Sequence, residues 1–209
     1  MLKHLDDLSG LGEAGLRDLW ERGVAPAAEE LAGWVFRGWN TSSLAARSPV
    51  GGRAFAKAFF RDAEAVHGCN FVVGNRHGEW QIDTRHPFGF FAVYPTTESR
   101  AWGRHRAALL LDYGRGRGAE FLAAWGARPS VRLRVVERLA RPLRDLIRRP
   151  PNAADGLYVG RAFVTSTLKL PVTCFALERW GRMTPEPVGT REPARAGDQN
   201  RKKRGERVI

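Results

Sequence analysis

Two cysteines in 209 residues, Cys69 and Cys174, exclude a disulfide framework, and neither belongs to a Cys-x-x-Cys pair. Both read as ordinary buried thiols. Long apolar runs are missing too. No window approaches the roughly 18 residues of a membrane span, and "MLKHLDDLSG" lacks the apolar stretch of a secretory signal. No transmembrane segment is therefore expected, and the expected location is cytoplasmic. Without a secretory signal, the glycosylation match at Asn40-Thr41-Ser42 carries no weight. Acidic residues are in deficit: 22 Asp and Glu face 34 Lys and Arg, for a net charge of +12.

Catalytic patterns are equally sparse. There is no Gly-x-Ser-x-Gly elbow, which excludes the usual nucleophile turn of α/β-hydrolases. His77-x-Glu79 matches the first half of a zinc-deaminase signature, but Pro171-Val-Thr-Cys174 supplies neither the adjacency nor the second cysteine of the other half. His67, Cys69 and His77 lack a fourth ligand at any standard zinc spacing, so no metal is expected. No cofactor motif is read either. Gly114-x-Gly116-x-x-Ala119, in "LLLDYGRGRGAEFLAAW", loosely matches a dinucleotide loop. That loop requires a following βα unit and an acidic strand end, neither of which follows here. These glycines read as a turn after a strand, with positive φ available to them.

The excess positive charge sits in two places. Residues 182–209 hold eight Arg or Lys against four acids, and residues 128–149 hold eight arginines against Glu137 and Asp145. One reading is a polyanion or nucleic-acid surface built from Arg144, Arg148, Arg149, Arg201, Lys202, Lys203 and Arg204. The competing reading is a compositional habit, since Arg outnumbers Lys and no aromatics are interleaved for base stacking. Within the first cluster, Val135, Val136, Leu139, Leu143, Leu146 and Ile147 fall on one helical face, which predicts a basic amphipathic helix interrupted at Pro142.

What the chain has in quantity is aromatic and β-branched sequence. Hydrophobic residues make up 43%, with seven Trp and eleven Phe. Leu11, Leu16, Leu19 and Trp20 predict a helix between Gly10 and Gly23, and Pro26 opens a second short helical turn. Short strand-like segments follow at 53–60, 70–75, 79–83, 88–94, 107–113, 157–164 and 171–180, after a first one in "GWVFRGWN", each bounded by Gly, Pro, Asn or Asp. Many short consecutive strands predict a mainly β fold: an antiparallel barrel or strongly curved sheet of about seven to eight strands, with N-terminal and mid-chain helices. The expected divisions are an N-terminal helical segment (1–25), a barrel domain (26–181) with a helical insertion at 119–149, and a disordered basic tail (182–209).

Alternation within the strands points to a site. Lys57 shares a face with Phe55 and Phe59, and Arg161 shares one with Leu157, Val159 and Phe163. Each cation either faces solvent, snorkelling from a partly covered face, or enters an apolar cavity where it holds a polar head group. The second reading gives a non-catalytic barrel that binds a small hydrophobic or amphiphilic molecule. Its walls are Trp34, Trp39, Phe90 and Tyr113, and Arg161 anchors an anionic group. A further alternative is an enzyme using Arg161 to stabilise an oxyanion and His86 as base.

The segments "EELAGWVFRGWN" and "CFALERW", with the strands between them, resemble small lipocalin-like (calycin) barrels over residues 29–181. The resemblance implies a closed antiparallel barrel for apolar ligands, with Trp34 or Trp39 as the tryptophan that plugs it. Those families show Gly-x-Trp, whereas this chain has Gly33-Trp34 and Gly38-Trp39 with no residue between.

Overall fold

Strands whose alternate residues are both apolar can be covered on both faces, and that is how this chain folds. A computed structural model describes residues 2–42, 52–62, 65–76, 79–103, 107–118, 120–121, 131–165 and 168–183. Eight strands run in chain order: β1 (Trp34–Asn40), β2 (Ala54–Arg61), β3 (Val66–Arg76), β4 (Glu79–Pro95), β5 (Leu109–Asp112), β6 (Leu143–Arg148), β7 (Leu157–Thr165) and β8 (Lys169–Arg182). Each pairs antiparallel with the next, and β8 returns to pair with β1, closing the barrel. Three helices are described: α1 (Leu5–Ser9), α2 (Gly12–Arg22) and α3 (Val131–Ala140). The expected mainly β barrel with N-terminal and mid-chain helices is what is found. No helix among the described residues is long and apolar enough to cross a membrane.

Two elements differ from expectation. The mid-chain helical segment ends at Ala140, and Leu143–Arg148 is strand β6, paired between β5 and β7. Pro142, which has no N–H to donate, separates the helix from the strand. Candidates 79–83 and 88–94 are one long strand, β4, which bends at Gly89 (φ 57°) where its pairing with β3 shifts register.

The interior is packed by rings set against glycines. A Cβ on Gly160 would lie 2.1 Å from the Phe175 ring, one on Gly68 2.3 Å from Phe91, and one on Gly38 2.4 Å from Phe55. Edge-to-face pairs link Phe36 to Phe59 and to Tyr158, at 5.4 and 5.7 Å between centroids. Leu31, Ala28 and Ala32 pack into the same cluster and close the end at which Trp34 lies, here termed the lower end. Outside, Leu16, Leu19 and Trp20 of α2 cover Leu110, Leu146, Val159 and Ala176, and the Trp20 indole donates to the Leu146 carbonyl at 3.1 Å. A second outer cluster joins Ala58, Phe60 and Cys69 to Phe90 and Phe121.

A 3-10 turn, Tyr113–Arg115, follows β5 as expected, but neither Gly114 within it nor Gly116 at its end has positive φ. Close approach explains Gly116, where a Cβ would fall 2.0 Å from the Phe90 carbonyl oxygen. The Asp112 carboxylate holds the turn by accepting from the Gly114 and Arg115 amides.

Candidate functional site

Among the described residues, a buried polar group centred on Lys57 sits inside this largely apolar barrel. Lys57 on β2 points inward from a face it shares with Phe55 and Phe59, and its ammonium is surrounded by three partners. It donates to Asn70 Oδ1 at 2.8 Å and Tyr113 Oη at 2.6 Å, and lies 3.0 Å from Asp145 Oδ2. The Tyr113 hydroxyl donates to Asp145 Oδ2 at 3.0 Å. Asn70 Nδ2 donates to the Gly89 carbonyl at 3.0 Å, a contact made possible by the bend of β4. The four side chains therefore come from β2, β3, the turn after β5, and β6, and β4 adds the Gly89 carbonyl.

Aromatic rings enclose the ammonium, with Phe55, Phe91, Tyr113 and Phe175 centroids between 5.2 and 5.7 Å from Nζ. Burial, reinforced by the Asp145 carboxylate, pushes the Tyr113 hydroxyl well above its ordinary pKa, so it remains a donor at physiological pH.

The interior rings and the polar group are all buried. Phe36, Phe59, Phe91, Leu109 and Tyr158 in the interior are 0% exposed, while Phe55, Asn70 and Tyr113 keep 7%, Asp145 5% and Lys57 4%. The polar group is centred on the middle of β2, where Lys57 pairs with Phe36, and the Phe55–Phe175 ring pair lies between it and the upper end, opposite Trp34. At that end β3 runs past its pairing with β2 and β8 past its pairing with β1, and Val72 and Leu170 on these extensions are more than half exposed.

The residues expected to line one cavity are spread over the molecule. Tyr113 alone among them joins the polar group. Trp34 is at the opposite, lower end, with the guanidinium of Arg182 at 3.8 Å and that of Arg179 at 4.7 Å from its ring. Trp39 packs with the outer layer under the Arg53 guanidinium, and Phe90 is buried in the outer cluster, stacked with Phe121. Arg161 does not enter the barrel. It lies outside, 3.3 Å from Glu21 and over the Trp20 ring, so it anchors no group in the interior. His86, the base of the alternative enzyme reading, is exposed beside Asp83 at 3.1 Å. Of the two cations singled out by alternation, Lys57 enters and Arg161 stays out.

The arginines expected to form a polyanion surface are engaged within the fold. Arg144 pairs with Asp112 at 2.9 Å, Arg148 donates to the Trp20 and Glu21 carbonyls, and Arg149 meets Glu30 at 3.3 Å. Arg201, Lys202, Lys203 and Arg204 lie outside the described residues, as does His77. His67 and Cys69 face the outer layer, with His67 Nε2 3.0 Å from Asp62 and its ring against Phe121.

Asn70 and Asp145 were not singled out by sequence reasoning. The signal available for Asp145 was an acid flanked by apolar Leu143 and Ile147 at alternate positions, obscured by the helical reading of that segment. Comparisons with models of known protein families, with curated proteins and with solved structures find no match.

Proposed function

We propose that the barrel binds a small amphiphilic molecule at its upper end, with the polar part of the ligand against Lys57, Asn70, Tyr113 and Asp145. The observation that carries this reading is a buried ion pair enclosed by aromatic rings in an otherwise apolar barrel interior. A buried ion pair adds little to stability compared with apolar residues of the same volume, so its presence here suits recognition better than packing. Closed barrels of eight antiparallel strands have room for one small ligand at most, and the calycin-like resemblance implies the same use. The ring-filled lower interior confines the ligand to the upper end. Its apolar body rests toward Val72 and Leu170, and its polar part reaches down to the ion pair.

Isothermal titration of the full chain with medium-chain amphiphiles, below their aggregation thresholds, tests this. Binding of one molecule per chain is expected, together with its loss in the Lys57→Met/Asp145→Leu double variant. Absence of binding by the native chain, or unchanged binding by a folded double variant, overturns the proposal.

A further inference from the structure

Resting on that reading, we infer that the ligand is uncharged and presents a hydrogen-bond donor, a hydroxyl foremost, to Asp145 Oδ1. The inference follows from which valences of the polar group are already used. The Lys57 ammonium donates to Asn70 Oδ1 and Tyr113 Oη and is ion-paired with Asp145 Oδ2 at 3.0 Å, so it already faces three acceptors. The one hydroxyl proton of Tyr113 goes to Asp145 Oδ2, and both amide protons of Asn70 are directed to Gly89 O and Tyr113 Oη, at 3.0 and 3.4 Å. No donor in the group is left over.

What remains is acceptor capacity. Both contacts to Asp145 converge on Oδ2, and among the described residues Oδ1 accepts no hydrogen bond. A ligand whose head only accepts, such as a ketone or an ether, finds nothing there to donate to it. A hydroxyl finds a carboxylate oxygen, and a hydrogen bond to a charged acceptor is the stronger kind.

Charge excludes the other heads. Lys57 and Asp145 neutralise each other, so the site carries no net charge for a ligand to offset. A ligand carboxylate close enough to interact with Lys57 would stand within about 6 Å of Asp145, with little water between them to screen the repulsion. An ammonium on Oδ1 would meet Lys57 in the same way. The fatty-acid head that an Arg161 anchor would have favoured is therefore disfavoured in this interior.

The test is a matched set sharing one medium-length chain: primary alcohol, methyl ketone, carboxylate and amine, titrated into the full native chain at neutral pH. The alcohol is expected to bind at least about tenfold more tightly than each of the other three. In Asp145→Asn, which leaves Lys57 uncompensated, the order between alcohol and carboxylate is expected to reverse. A carboxylate or ketone that equals the alcohol on the native chain overturns this inference and leaves amphiphile binding standing. Failure of all four to bind overturns both. The native-chain series decides by itself if Asp145→Asn does not fold.

Discussion

Lys57→Met removes the positive half of the buried pair while keeping the volume of the side chain. Met lacks the ammonium that serves Asn70, Tyr113 and Asp145, so the Asp145 carboxylate is left with the Tyr113 hydroxyl as its donor, in a site 5% exposed. Stranding one partner of a buried pair costs about 3–5 kcal/mol, and little cavity term is added because Met fills the space. An expected loss of about 4 kcal/mol, at a urea dependence of about 2 kcal/mol per molar, lowers the unfolding midpoint by about 2 M. The double variant Lys57→Met/Asp145→Leu removes both charges. Tyr113 and Asn70, 3.4 Å apart, can still bond each other, so this variant is expected within about 1 kcal/mol of the native chain. The double-mutant cycle then gives a coupling of about 3 kcal/mol or more. A single-variant loss below about 1 kcal/mol, or a double variant as unstable as the two singles added together, would refute the buried-pair reasoning. A stable double variant that no longer binds amphiphiles would separate the binding role of the pair from its packing role.

Other perturbations follow from the same packing. Burial holds the His67 imidazole below its ordinary value of 6.5, only partly offset by Asp62, so the unfolded chain takes up this proton first as pH falls. Stability contributed at His67 is thus present above pH 6.5 and lost below it. His67→Phe should flatten the pH dependence of unfolding between about pH 6.5 and 5 by up to about 1.4 kcal/mol per unit, and equal slopes in the two proteins would count against it. Gly160→Ala places a methyl group 2.1 Å from the Phe175 ring and should cost about 1–3 kcal/mol in chemical denaturation, with a change under about 0.5 kcal/mol contradicting the ring-against-glycine packing. Arg161→Ala, which loses the Glu21 and Trp20 contacts outside the barrel, should lower stability by about 1 kcal/mol or less and leave amphiphile titrations unchanged. Weakened binding in that variant would return Arg161 to the site.

Much of the barrel was legible in the sequence because strand-forming residues punctuated by Gly, Pro and Asn specify local structure with little help from the rest of the chain. The shared face of Phe55, Lys57 and Phe59 was legible for the same reason, since a period of two holds in any strand. Which face points inward was not. In β7, Val159 and Phe163 look as apolar as any core face, yet they pack beneath the N-terminal helices and take Arg161 outside with them. In β2 the outer face is covered too, by Phe90 and Phe121, so apolar character marks both sides and alternation loses its sign. Strand β6 was hidden because Leu143, Leu146 and Ile147 fit a helical stripe as well as a strand buried on both faces, and pairing with β5 and β7 resolves the choice. The candidate site depends still more on tertiary structure. Lys57 and Asn70 lie on neighbouring strands, but Tyr113 and Asp145 are 56 and 88 positions beyond Lys57 and reach it across the interior only when the barrel closes. Local sequence determined that Lys57 would stand among rings. Closure of β8 on β1 gave that face an inside, and in a water-poor interior a lone ammonium is costly enough that Asp145 must meet it.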